Sequence, residues 1–358
     1  MTIRRLSTTL LLRPEDVPTS RDDFEVVGVF NPGVVRAGGE VVLLVRVAER
    51  PRERRPGLTG LPRWDVATGL TIDWAPNTEL EFRDPRVVLI KATGTIRLTF
   101  ISHLRVIRCG DGRAVREITN TTFCPEGELE EYGVEDPRIT LLDGRYYFTY
   151  VAVSRHGPAT ALASTTDFVT FVRHGVIFCP ENKDVVLFPE RIGGSYVALH
   201  RPVCGSPFTR PEMWVARSPD LFHWGQHVPL GVSGGEWQSG RVGAGCPPLR
   251  VPEGWLVIYH GNQHPTQLGE VGTYFGGAML LDANDPARVL RHTTEPFFRP
   301  EADFERVGFV PNVVFPTGVV EDGQALLVYY GAADAATAVA GFDRSELRGA
   351  VTGTKGCD

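Results

Sequence analysis

The chain has 358 residues, 42% of them apolar and 22% charged, with a formal net charge of −6. That length can bury a large core, while the dispersed negative balance, without a basic tail or long charge run, argues against nucleic acid or an anionic membrane as partner. No apolar stretch reaches the roughly 18 to 20 residues that span a bilayer, and the opening MTIRRLSTTLLLRPEDVP lacks the length and cleavage site of a secretory signal, so a cytoplasmic protein is expected.

Along the chain the predicted elements are short strands. NPGVVRAGGEVVLLVRVA from Asn31 reads as a hairpin, and the arginine-rich AERPRERRPG that follows reads as a solvated loop, with a lid over a binding site as the lesser alternative. Further hairpins are predicted at DPRVVLIKATGTIRLTFISH from Asp84, DPRITLLDGRYYFTYVAVS from Asp136, FPERIGGSYVALHRP from Phe188, CPPLRVPEGWLVIYHGN from Cys246 and PNVVFPTGVVEDGQALLVYYGAAD from Pro311. Between them recurs a second phrase, ALASTTDFVTF and WVARSPDLFHW, each a strand, a Ser/Asp turn and an aromatic strand. GFDRSELRGAV near the C-terminus reads as a short helix that closes the fold or contacts a partner, which leaves homo-oligomerisation open. Six cysteines, Cys109, Cys124, Cys179, Cys204, Cys246 and Cys357, lie far apart with no C-x-x-C pair, so free thiols are expected rather than a zinc or redox motif.

The hairpin prolines fall at 32, 85, 137, 189, 247 and 311, a period of roughly 50 to 60 residues with four short strands per repeat. The class is therefore all-β, and the period predicts one β-propeller domain over residues 1–358. In such a fold the entry ends of the innermost strands converge on one funnel. That gathers Asn31, Arg46, Asp84, Asp136, His200, Arg201, His260, Asn312 and Asp334, although polar residues there can equally well bond between neighbouring blades. Carboxylates beside several guanidinium and imidazole groups suit a polyhydroxylated substrate together with an anion, because arginine forks grip phosphate and a neutral sugar alone needs no cation cluster. Asp136, shielded among aromatic side chains, is expected to have a raised pKa and to act as a general acid, with Glu135 or Arg138 holding its geometry.

YGVEDPRIT, ENKDVVLFPERIGGSYVALHRP, RVGAGCPPLRVPEGWLVIYHG, GFVPNVVFPTG and YYGAAD, taken in order, resemble glycoside hydrolase family 130, the β-mannoside phosphorylases and related β-mannosidases. The resemblance implies a five-bladed propeller and inverting phosphorolysis of a β-1,2- or β-1,4-mannosidic bond, releasing α-mannose 1-phosphate. Asp136 would be the acid, protonating the glycosidic oxygen through the mannosyl 3-hydroxyl. Inorganic phosphate is then the co-substrate and a mannose-containing oligosaccharide the partner, with no other cofactor and no metal. By motif, Lys183, Arg201, Arg241 and His260 would bind phosphate, Arg241 standing where the family often has lysine. Asn31, Asn312 and Asp334 would hold the mannosyl unit, with Arg46, Glu135, Arg138 and His200 near it.

One departure is that 105 residues separate Asn31 from Asp136, about twice the family spacing. The surplus, 52–101, is either an additional blade, making six, or an insertion between two strands of the first. Asp84 in RDPR imitates Asp136 and reads as an echo of the repeat. Two alternative functions stay open: a β-mannosidase, for which Glu190, Glu212 or Glu236 would have to activate water, and a glycan-binding propeller without catalysis.

Overall fold

The computed structural model describes residues 3–203, 210–265 and 270–353, so Cys204 and Cys357 lie outside the described residues. Cys109, Cys124, Cys179 and Cys246 are free thiols. Strands dominate, grouped into five units of about four antiparallel strands each. The first unit comprises Phe24–Ala37, Glu40–Pro51, Ile101–Cys109 and Val115–Phe123, and the second comprises Gly133–Leu142, Arg145–Ser154, Gly157–Thr165 and Val172–Phe178. A parallel bridge between Gly133 and Ser102 joins these two into one sheet of eight strands. The third unit is built from Asn182–Leu187, Tyr196–Pro202, Trp214–Ser218 and Gly225–Pro229. Arg241–Ala244, Leu249–Val251, Gly254–Asn262, Tyr274–Leu281 and Val289–His292 make the fourth. The fifth takes Val314–Asp322, Ala325–Ala332 and Ala336–Asp343, and its outer strand is Arg5–Leu12 from the other end of the chain.

The apolar pattern explains why these residues form inner strands. Val41, Val42, Leu43, Leu44 and Val45 are all fully buried, so the run is covered on both faces, which continuous β-branched and aliphatic sequence favours over alternation. Gly38 and Gly39, both at positive φ, turn the chain between paired Ala37 and Glu40, and Asp143 and Gly144 do the same between Leu142 and Arg145. These are two-residue hairpin loops of the kind that match strand twist. The units pack in cyclic order. Leu44 and Phe148 share a core between the first and second, Leu162 and Ala198 between the second and third, Leu199 and Val257 between the third and fourth. Ile258 and Val328 lie between the fourth and fifth, and Tyr329 joins Val41, Leu43 and Val45 between the fifth and first. The helix Arg344–Thr352, capped by Asp343 accepting from Ser345 N and Glu346 N, buries Leu347 and Val351 against the last two units.

The structure decides the nature of the surplus segment. Glu40–Pro51 pairs directly with Ile101–Cys109, so residues 52–100 are an insertion between two strands of the first unit, and the count of six repeats is corrected to five. The insertion holds a hairpin, Leu58–Asp65 with Gly69–Pro76, and a three-stranded sheet, Leu80–Asp84, Val87–Ile90 and Thr95–Leu98. The arginine-rich stretch is solvated as expected: Arg54 reaches Glu25, and Arg55 pairs with Glu53 over the Trp74 ring.

The repeat register in the third unit is also corrected. Between Phe30 and Gly33, between Glu135 and Arg138, and between Lys183 and Val186, the first strand carries one residue more than its partner. Asn31, Asp136 and Asp184 occupy those bulges with φ of 51°, 50° and 55°. The counterpart of Asp136 in the third unit is therefore Asp184, and Pro189 lies beyond the strand end.

Candidate active site

A bulge in which a non-glycine residue adopts the left-handed conformation re-aims one side chain and costs on the order of 1–3 kcal/mol, which the surrounding sheets must sustain. Here the bulges turn Asn31, Asp136 and Asp184 toward a common cavity of about 300 Å³. On the neighbouring strand, Arg46 stands opposite Phe30, Arg201 opposite Lys183 and His260 opposite Gly243, so the first, third and fourth units each present a polar group in an equivalent position. Asp334, with φ of 47°, contributes from the turn after Ala325–Ala332. Residues from all five units and from the insertion line the cavity.

Asp136 is held from three sides. Asn31 Nδ2 donates to Oδ1 at 2.8 Å and Arg46 Nη1 to the same oxygen at 3.0 Å, while Arg46 Nη2 donates to Glu135 Oε1 at 2.7 Å. Arg138 Nη1 donates to the backbone oxygen of Asp136 at 2.8 Å and its Nε to Gly245 O at 2.6 Å, so this fully buried guanidinium fixes the bulge from behind the cavity wall. Lys183 Nζ lies 3.6 Å from Glu135 Oε2. Gly331 makes room for this arrangement, since a Cβ there would overlap Asn31 Oδ1.

The electrostatics of Asp136 differ from the sequence expectation. Burial pushes its carboxyl upward, but Arg46, Arg138 and Lys183, with the hydrogen bond from Asn31, outweigh that and hold it below the usual carboxylate range. Without ligand Asp136 is a carboxylate rather than the acid with raised pKa that shielding alone implied. Asp334 shifts the other way: burial raises it, against the opposing charges of Arg86 and Arg46.

Asp184 forms a second centre. Arg201 Nε donates to its Oδ2 at 2.6 Å, His260 Nε2 lies 3.4 Å from the same atom and Arg138 Nη2 lies 3.7 Å from Oδ1. Burial opposes ionisation, yet Arg201, His260 and Arg138 together hold Asp184 well below the usual range. His260 is pushed down by burial, with Asp184 acting against that, so its imidazole is neutral near pH 7. Arg241 Nη1 donates to the Tyr274 hydroxyl at 2.5 Å. Both ring nitrogens of His260, Nη2 of Arg138 and Oδ1 of Asn31 are buried without a hydrogen-bond partner. His260 and Asn31 line the cavity, where a ligand can supply their missing bonds.

Of the residues singled out from sequence, Asn31, Arg46, Glu135, Asp136, Lys183, Arg201, Arg241, His260 and Asp334 line the cavity together. Three stand elsewhere. Arg138 lies behind the wall; His200 is stacked on Phe178 and bonded to Asn182 and His227, with burial pushing its pKa down to about 3; Asn312 is exposed, its backbone oxygen accepting from Tyr274 N. Asp84 and Arg86 of the insertion reach the cavity as well, Arg86 donating to Asp84 and lying 3.5 Å from Asp334 Oδ2. Sequence reasoning missed Asp184, Tyr274 and Arg86; aligning NKD with VED, and reading the arginine of RDPR as well as its aspartate, are the signals that point to two of them. Glu190, Glu212 and Glu236 do not line the cavity: Glu190 is 4.0 Å from Arg250, Glu212 accepts from Gly231 N and Glu236 from Gln263. Among the described residues no group of three or more His, Cys, Asp or Glu side chains is placed to hold a metal ion, and no helix is long and apolar enough to cross a membrane.

An all-β scaffold whose sheets meet around carboxylates, guanidinium groups and unpartnered donors is an arrangement suited to carbohydrate-active enzymes. Comparison with known proteins narrows this: residues 77–351 match the family model Glyco_hydro_130, described as beta-1,4-mannooligosaccharide phosphorylase. The chain is 41% identical over 358 residues to a beta-1,2-mannobiose phosphorylase of Listeria innocua, covering 96% of each, and 36% identical over 253 residues to a 1,2-beta-oligomannan phosphorylase of Thermoanaerobacter, covering 70% of this chain and 81% of the relative. The solved Listeria innocua beta-1,2-mannobiose phosphorylase in complex with beta-1,2-mannobiose superimposes with a TM-score of 0.90 at 38% identity, covering 98% of this chain and 100% of that one. The chain belongs to glycoside hydrolase family 130.

Proposed function

We propose that the protein is an inverting phosphorylase of β-mannosides, a single catalytic domain whose five cyclically packed units form a five-bladed β-propeller. The observation that carries this reading is the juxtaposition, in one cavity, of Asp136 with Lys183, Arg201, Arg241 and the unpartnered His260. The relatives named as mannobiose and oligomannan phosphorylases support the substrate class, with β-1,2 linkage favoured over β-1,4.

In the proposed reaction the mannosyl unit sits against Asn31, Arg46 and Asp334, and phosphate lies among Lys183, Arg201, Arg241 and His260. A phosphate oxygen attacks the anomeric carbon from the face opposite the glycosidic oxygen. The carbon–oxygen bond breaks, Asp136 passes its proton to the departing oxygen through the mannosyl 3-hydroxyl, and α-mannose 1-phosphate leaves with inverted configuration. Asp136 must be protonated for this step although its surroundings favour the carboxylate. The negative charge of bound phosphate offsets Lys183 and raises the proton affinity of Asp136, so nucleophile binding prepares the acid. Asn312 and His200 stand outside the cavity and take no step in this scheme, and Arg138 fixes the Asp136 backbone. Phosphate is itself the nucleophile, so no second carboxylate has to activate water.

Incubation with β-1,2-mannobiose in the presence and absence of phosphate tests the reading. Phosphate-dependent release of α-mannose 1-phosphate is expected; phosphate-independent release of free mannose would make the protein a mannosidase, and no cleavage with intact sugar binding would make it a binding propeller.

A further inference from the structure

A separate cavity of about 180 Å³ lies where the first unit, the loop that precedes it and the Leu58–Asp65 and Gly69–Pro76 hairpin come together. It shares no lining residue with the catalytic cavity. Trp64, Leu70, Ile101 and Pro125 give it apolar walls, and Cys124 lies among them.

The charged and hydroxyl groups around this space are already engaged. Ser20 donates to Glu49 through its hydroxyl and through its backbone N, the latter at 2.6 Å. Arg21 donates to Asp23 Oδ2 at 2.7 Å and to Leu70 O at 2.6 Å. The Ser102 hydroxyl accepts from Arg46 Nε at 3.1 Å, which ties the cavity wall to the guanidinium that holds Asp136. An anion therefore meets no free cation here, and a sugar meets no row of unspent partners for its several hydroxyls.

His103 is the exception. It lines the cavity at 4% exposure, and its Nε2 is buried without a hydrogen-bond partner. Burial, with Arg105 nearby, pushes the imidazole down to about 3, so the ring is neutral near pH 7. Its Nδ1 faces Glu49 Oε2 at 3.5 Å, which keeps the ring proton on that nitrogen and leaves Nε2 as an acceptor. A buried acceptor without a donor is costly, and a ligand carrying one donor into the cavity removes that cost. The volume sets the size of such a ligand, since an apolar cavity of about 150 Å³ takes up benzene.

We propose that this cavity is a binding site for an uncharged molecule of the phenol class, one aromatic ring with a single hydrogen-bond donor, the ring lying against Trp64, Leu70 and Ile101 and the donor meeting His103 Nε2. The site stands apart from the proposed phosphorolysis, and its test needs no turnover. In calorimetric titration phenol should bind saturably and about three- to tenfold more tightly than toluene, which matches it in size but lacks the donor. His103→Phe should make the two equal, and Leu70→Trp, which fills the cavity, should abolish the binding of both. Phenol should also slow alkylation of Cys124 and leave that of Cys179, exposed and outside the cavity, unchanged, as read by peptide mapping. No saturable binding, binding that survives Leu70→Trp, or alkylation of Cys124 that phenol does not slow overturns the site, and equal affinity for phenol and toluene in the wild type overturns the assigned ligand class. Should His103→Phe fail to fold, the wild-type preference, Leu70→Trp and the alkylation of Cys124 still decide.

Discussion

Asp136 and Asp184 occupy the same place in successive units, each in a left-handed bulge, each deeply shielded and each approached by arginine, yet their surroundings assign them different work. Asp136 accepts from Asn31 and Arg46 through one oxygen, Oδ1, and has a second carboxylate, Glu135, sharing its arginine. Asp184 is enclosed by Arg201, Arg138 and His260. The shared backbone device delivers a carboxylate to the cavity, and how far its partners depress its pKa, below the usual range at Asp136 and well below it at Asp184, separates a group that can exchange a proton from a permanent counter-ion. A buried ion pair of the second kind contributes little net stability but is costly to break from one side.

The comparison can be broken from either side. Asp136→Asn should lower turnover by roughly 10²- to 10⁴-fold, the usual contribution of a general acid, with a smaller loss of stability than Asp184→Asn because Glu135 still pairs with Arg46; steady-state phosphorolysis and denaturant unfolding measure the two. A retained rate removes Asp136 from the chemistry. Asp184→Asn should behave oppositely, losing about 3–5 kcal/mol of stability because Arg201 and Arg138 are left buried without their counter-charge. The sign follows from linkage: a carboxylate whose folded pKa is lowered stabilises above its unfolded pKa, and that benefit fades as pH falls through the folded pKa. The stability gap between wild type and Asp184→Asn should therefore narrow only in strongly acidic solution.

Two smaller effects sharpen the picture around Asp136. Gly331→Ala should displace Asn31 and cost about three- to tenfold in kcat, the equivalent of one hydrogen bond of about 1 kcal/mol. Asn31→Ala should cost about as much, and the double variant no more than either, because both remove one interaction. Arg86→Gln should move the acidic limb of the kcat/KM profile to higher pH, since burial already raises Asp334 and Arg86 is the largest charge opposing it. An unmoved limb would mean that Arg86 does not keep Asp334 ionised.

The all-β class and most of the site were legible in the sequence because inner strands such as Val41–Val45 announce themselves by composition and repeat at a nearly constant interval. Asp136 and the basic residues followed from that period together with their motifs. The insertion did not follow, because the pairing of Glu49 with Ile101 closes over some fifty residues that carry their own hairpin and imitate a repeat. Arg86 reaches Asp334 across 248 positions, and no local pattern encodes such a contact. Asp184 was hidden because its strand lacks the proline that follows Asn31 and Asp136. The ionisation of Asp136 was misread for a different reason: shielding was visible in the neighbouring aromatic residues, but the convergence of Arg46, Arg138 and Lys183 depends on three separate units.

The strand Arg5–Leu12, paired with Ala336–Asp343, has a consequence for how activity comes into being. The contacts between the first and fifth units run beside the cavity: Val29 N donates to Ala335 O at 2.9 Å, next to Asp334, and Thr317 donates to Pro32 O at 2.7 Å, next to Asn31. The seam of the molecule therefore passes through its reaction centre. A nascent chain has most of its motifs before it has a site, because Asn31 cannot meet Asp334 until the last sheet is synthesised and docked on the first. Catalysis is in this sense a late product of folding, and recovery of turnover after dilution from denaturant reports when the clasp shuts.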